Sequence, residues 1–268
     1  MVQMHVDLNT LPVDGASLLQ WWLDRVRLVL GGKLRTVYVH GSLVLDDFCP
    51  GWSDVDVCVV VNAPVSEGEA SVLGTIHDEM GERFLRGHAA GWRSGQAIEA
   101  CYIPEPLVRD SGRQMPCYVA GDQAGRLCIG HPLPPFDREV LARFGGCLMG
   151  PSLAFSRPTR AALVEQTARM LAEIRAQVSG SPSAIWLCGI QHWLARSLVF
   201  WRDGDLVAKS AALRREVAQG SPFAAAFELA LRIREEGSAV ANQYREALRR
   251  QFDACALACV AEIERAMR

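Results

Sequence analysis

Asp54 and Asp56 stand on either side of Val55 at the mouth of a valine-rich run, "DVDVCVVV", a dozen residues after the pair Gly41-Ser42. Alternate side chains of a strand share a face. Asp54, Asp56 and Cys58 therefore look one way, and Val55, Val57, Val59 and Val61 look the other. The valine face is core. The carboxylate face is either a solvated strand surface or a site. In a central strand, unpaired carboxylates cost on the order of several kcal/mol or change their protonation state. A hard divalent cation removes that cost, because Mg²⁺ is held by one or two carboxylates together with substrate phosphates. Gly41 permits close backbone approach, and Ser42 with the amides that follow can hold a phosphate at a helix start or serve as a plain N-cap. In "AIEACYI", Glu99 shares its strand face with Ala97, Cys101 and Ile103. If that strand lies beside the Asp54–Val61 run, three carboxylates converge. Such a set can hold Mg²⁺ and leave one member to take a proton from an attacking hydroxyl.

Elements of two kinds must position these groups. The first half alternates. A helical pattern over 15–30 stops at Gly31-Gly32, and "LRTVYVH" reads as a strand. After the Asp pair's strand, Ser66 and Glu69 form a capping-box pattern opening a helix over 67–86. The strand with Glu99 follows, then a hairpin pattern in "PCYVAG" and "GRLCIG", and a helix over "DREVLARFGGCLM". After Pro158 only helical periodicity remains, over about 159–179, 183–202, 206–219, 222–236 and 238–267. The expectation is an α/β (α+β) domain with a mixed sheet over 1–150 and an all-α helical bundle over 151–268.

Composition bounds the function. The chain has 268 residues and a formal charge of −2, which argues against a phosphate-backbone binder, so no nucleic-acid partner is expected. No apolar run is long enough to span a bilayer and no signal-peptide pattern opens the chain, which makes a cytoplasmic protein the expectation. Nine scattered cysteines without a Cys-x-x-Cys pair read as reduced core thiols. Among 28 basic residues only Lys33 and Lys209 are lysines, positions where a compact ammonium has a use of its own.

Gly41, Ser42, Asp54, Asp56 and Glu99 together resemble the nucleotidyltransferase superfamily of the DNA polymerase β-like fold: strand, Gly-Ser, short helix, Asp-x-Asp opening the next strand, and a third acidic residue on a neighbour. Separately, "LARSLVFWRDGDLVAKSAALRREV" (194–217) looks like the helical domain of the aminoglycoside adenylyltransferases that modify spectinomycin and streptomycin. This resemblance implies that Arg196 and Lys209 lie on the phosphates of ATP, that Asp54 and Asp56 hold Mg²⁺, and that Glu99 is the base. It implies transfer of AMP to a hydroxyl of a small cationic acceptor by a monomer, with antibiotic resistance as the outcome. Where relatives that adenylylate spectinomycin and streptomycin carry an Asp and a His, this chain has Trp186 and Gly189, which turns the expectation away from streptomycin and leaves spectinomycin or an acceptor of another kind. Acidic candidates for gripping the acceptor are Glu99, Asp46, Asp47 and Asp203, and Trp186, His192 and Trp193 are either cleft-lining or core. The competing expectations are a protein of the same fold with a non-antibiotic acceptor and an antitoxin-like one that binds a partner protein.

Overall fold

The computed structural model describes residues 13–49, 52–84, 98–121 and 125–268. They fall into two compact units. The first holds the described residues up to Leu45, those from Asp54 to 84, and 98–158. The second holds Thr159–Arg268 together with a strap, Asp46–Ser53, that lies in sequence between the Gly-Ser pair and the Asp pair.

The first unit is built on a six-stranded mixed sheet: β1 (Leu34–Val39), β2 (Val55–Val61), β3 (Ile98–Pro104), β4 (Pro116–Ala120), β5 (Arg126–Ile129) and β6 (Gly146–Met149), in the spatial order β5-β4-β3-β2-β1-β6. β2 and β3 are parallel, joined through α2 (Glu67–Phe84) as a parallel pair requires, and the other pairings are antiparallel. One face carries Tyr102 and Tyr118. There Trp22 of α1 (Val13–Leu30) packs on His77 of α2 and on Tyr102. The other face gathers Tyr38, Cys58, Val60, Cys101, Ile103, Cys117 and Cys147 under Leu107 and Val108 of the short α3 (Pro106–Arg109) and Leu141 of α4 (Pro135–Phe144). Cys58 and Val60 are fully buried, so the strand face that begins with Asp56 runs into core rather than water.

The capping box forms as its spacing predicts. Ser66 N donates to Glu69 Oε2 at 2.8 Å, and Glu69 N donates back to Ser66 Oγ at 3.4 Å. Glu69 also takes Lys33 Nζ at 2.8 Å, so the first of the two lysines braces a helix start. The tail of this helix beyond 84, and Ala97 ahead of β3, lie outside the described residues. One expected helix is corrected. The run over "DREVLARFGGCLM" ends at Gly145, and Gly146–Met149 is instead a strand, with Tyr38 opposite Cys147. A Cβ on Gly145 would stand 2.5 Å from the Leu141 carbonyl oxygen, so this close chain reversal needs glycine.

The second unit consists of α5 (Arg160–Val178), α6 (Ala184–Asp203), α7 (Lys209–Ala218), α8 (Ala224–Glu236) and α9 (Arg245–Met267). Thr159 and Ser183 cap α5 and α6 through their hydroxyls, and Gly204, at φ 78°, ends α6 in the left-handed conformation. The expected last helix is corrected at its start, where Ser238–Tyr244 is a 3-10 segment after Gly237 at φ 97°. α6 runs through the centre, with Leu187, Leu194, Leu198 and Val199 buried against Phe227, Phe252 and Val260. The strap is fastened into this unit. Arg234, with 4% of its side chain exposed, donates to the Asp47 carbonyl at 2.8 Å, to Asp47 Oδ2 at 3.1 Å and to Ser210 Oγ at 3.0 Å. Asp47 Oδ2 accepts from Ser210 N in the first turn of α7, and Trp52 stands edge-on to His192.

Candidate active site

Register brings the carboxylates together. In the parallel β2–β3 ladder Asp56 is opposite Glu99, and ladder partners share a face. Asp54 lies one residue ahead of β2, directly after the strap. One carboxylate oxygen from each of Asp54, Asp56 and Glu99 lies within 4.8 Å of the others, and all three side chains are half-buried. Three acidic oxygens this close fit a hard divalent cation, which removes their mutual repulsion and supplies octahedral oxygen coordination shared with a ligand's phosphates.

Gly41 completes this wall. Its φ is +65°, and a Cβ there would sit 1.8 Å from Asp56 Oδ2, so the carboxylate rests directly on the glycine backbone. Gly121, beyond β4, approaches Glu99 from the other side, where a Cβ would come within 3.0 Å of the Glu99 Cα. Ser42 Oγ is buried and has no hydrogen-bond partner among the described residues. A shielded hydroxyl next to a glycine turn has a donor left for a ligand's oxygen, so the residues present fit Mg²⁺ and a phosphate chain.

The sequence pattern did not single out His40. The β1–β2 ladder pairs Val39 with Val57, and His40 N then donates to the Asp56 carbonyl at 3.0 Å. His40, Asp56 and Glu99 thus form one row across three neighbouring strands, and only that register could have marked the histidine. It is 3% exposed. Burial lowers its pKa to about 4, so the ring is neutral at pH 7. The row forms one wall of a cavity of about 270 Å³, closed by Gly121, Leu133 and Asp137 among others.

The remaining candidates lie in the second unit. Arg196 is half-buried on α6, and Lys209 is exposed as the first residue of α7. Asp47 is spent on Arg234, and Asp203 on Arg202 and Arg215, so neither is a spare carboxylate for a cationic acceptor. Asp46 holds a positive φ of 51° at the start of the strap. His192 is a core residue, its Nε2 3.3 Å from the Ala230 carbonyl oxygen, and Trp186 packs edge-on to Phe252. All nine cysteines are free thiols. No helix among the described residues is long and apolar enough to cross a membrane.

Residues 25–115 match the family model of the nucleotidyltransferase domain. That stretch contains Gly41, Ser42, Asp54, Asp56 and Glu99, so the acidic row lies within a nucleotidyltransferase domain. Among solved structures the chain is similar to the crystal structure of spectinomycin adenyltransferase AAD(9) from Enterococcus faecialis with ATP and spectinomycin, at 15% identity. The match covers 88% of this chain and 98% of that one, with a TM-score of 0.60, and at this identity it is a likeness of fold. No curated protein matches the sequence.

Proposed function

We propose that the protein transfers AMP from ATP to a hydroxyl of a small cationic acceptor, an aminocyclitol such as spectinomycin, and so confers resistance to it. The observation that carries this reading is the cluster of Asp54, Asp56 and Glu99 within 4.8 Å, set against Gly41 and Ser42. Asp54 and Asp56 are the Mg²⁺ ligands in this reading. When bound, the cation would neutralise charge on the phosphates and lower the cost of their approach to the carboxylates. Ser42 Oγ and the Gly41 turn receive phosphoryl oxygens. Arg196 and Lys209 are the further cations assigned to the triphosphate in this reading. Glu99 takes the acceptor's hydroxyl proton as the oxygen bonds to the α-phosphorus. The bond from that phosphorus to the β-phosphate's bridging oxygen breaks, and pyrophosphate leaves with the electron pair.

The acceptor's class is supported by the fold it shares with a spectinomycin adenyltransferase along nearly the whole chain. The partner-binding alternative calls for one continuous apolar patch. Among the described residues, large exposed apolar side chains are spread over α1, α2, β5, α4, α6 and α9. The protein is proposed to act as a cytoplasmic monomer without a nucleic-acid partner.

Pyrophosphate release from Mg-ATP, measured against a panel of spectinomycin, streptomycin and other aminoglycosides, tests the reading. Release with spectinomycin that disappears in Asp54→Ala supports it. Mg-ATP binding without release for any member moves the acceptor outside this class. Absence of nucleotide binding overturns the reading as a whole.

A further inference from the structure

Three histidines are almost equally buried: His40 and His77 at 3% exposure and His192 at 2%. In His77 and His192 Nε2 is paired, although His77 Nδ1 is itself buried without a partner among the described residues. His77 Nε2 lies 3.2 Å from Trp22 Nε1 and 3.3 Å from Tyr102 Oη, and His192 Nε2 lies 3.3 Å from the Ala230 carbonyl oxygen. His40 Nε2 is shielded from water and has no hydrogen-bond partner among the described residues. A buried polar atom left this way costs about 1–3 kcal/mol, and folds keep few of them without a use.

His40 is one of two such atoms in three consecutive residues, the other being Ser42 Oγ. Between them Gly41 holds its backbone against the Asp56 carboxylate. His40 lines the same cavity as Asp56 and Glu99. In the ladder it lies beyond Asp56 from Glu99, on the Gly41-Ser42 side and away from the proposed proton acceptor. A single ligand that satisfies both orphaned atoms must offer several oxygens close together, and a phosphate chain does so. A carboxylate-lined wall admits such a chain only with a cation, and the imidazole adds a directed donor beside it.

We propose that His40 is a substrate-contacting residue, its imidazole N–H donating to a phosphoryl oxygen of the bound nucleotide beside Ser42. This rests on the nucleotidyl-transfer reading above and extends it to a residue outside the acidic set.

The test is calorimetric titration of the full-length protein with Mg²⁺ and a non-hydrolysable ATP analogue, and separately with Mg²⁺ and inorganic triphosphate. His40→Phe is expected to weaken both ligands about tenfold, because the contact is to phosphate and not to adenine. Its melting temperature should stay level or rise, since the substitution removes an unsatisfied polar atom. His40→Gln, which keeps an amide donor, should recover part of the affinity. Equal affinity in wild type and a folded His40→Phe overturns the proposal, as does a fall in melting temperature with affinity intact. If His40→Phe fails to fold, nitrogen NMR of the wild-type His40 ring decides: a shifted imidazole resonance on adding Mg-triphosphate is expected, and an unmoved one overturns the contact. A wild type that binds neither ligand instead removes the nucleotidyl-transfer reading itself.

Discussion

Gly41 carries the tightest steric constraint of the site, and it sets the first prediction. Gly41→Ala would place a methyl group 1.8 Å from Asp56 Oδ2 on a backbone at φ +65°. The carboxylate must move by an ångström or more, a displacement that typically costs on the order of a hundredfold in rate. Turnover with Mg-ATP and the accepted antibiotic should fall by at least that factor in a protein that still folds, and near wild-type activity would show that Asp56 is not held where it is used. Glu99→Gln separates binding from chemistry. It should bind a Mg-ATP analogue within a few-fold of wild type and lose about 10²- to 10⁴-fold in transfer, as removal of a general base does. Retained turnover would assign the proton to another group. The carboxylates were legible in sequence because charge inside a valine run has few structural explanations. His40 was not, because a single histidine ahead of a Gly-Ser pair gains meaning only when the ladder register sets it beside Asp56.

Elements of the first unit were legible where periodicity was unbroken and illegible where a glycine changed its sense. The strand of Asp56, the β4–β5 hairpin and the capped start of α2 follow from alternation and from the Ser66–Glu69 spacing. β6 was hidden because "GGCLM" continues the helical pattern of α4, and only its pairing with β1 reveals a strand. Lys33 shows the same limit: its scarcity invited a special role, and its partner Glu69, far along the chain, was not visible. The pair is partly exposed, so Lys33→Ala should cost no more than about 1 kcal/mol by urea denaturation and leave transfer unchanged. The packing of α1 and α2 on the sheet makes a stronger prediction. His77, between Trp22 and Tyr102, has its pKa lowered by burial from 6.5 to about 4, and His192 in the helical unit to about 3. A base with a depressed folded-state pKa is protonated first in the unfolded chain. Its stabilising effect is present above pH 6.5 and is lost as the pH falls towards 4. Each such histidine removes about 1.4 kcal/mol per pH unit in that window. Denaturation at pH 7, 6 and 5 should therefore show a steady loss before most carboxylates titrate, and a flat profile would contradict the buried neutral rings.

At the scale of the molecule, the sequence divides into an α/β half and a helical half, yet the strap from Asp46 to Ser53 belongs with the helices. Its anchors were hidden because Asp47 and Arg234 are separated by most of the chain, and Asp47 reads in sequence as one more loop acid. A fragment of residues 159–268 would keep Arg234 and lose Asp47. Leaving a buried charge without its partner costs about 3–5 kcal/mol, so the fragment should be largely unfolded by circular dichroism. Arg234→Met in that fragment should restore part of its helicity, and a well-folded unaltered fragment would show the strap to be dispensable. The strap also bears on inheritance. A gene crossover at the codon for Thr159 would join one parent's strap to another parent's α7 and α8, so a hybrid would keep the buried pair only where the first parent carries the aspartate and the second the arginine. The two halves of this gene are expected to descend together, with each substitution at Asp47 answered at Arg234.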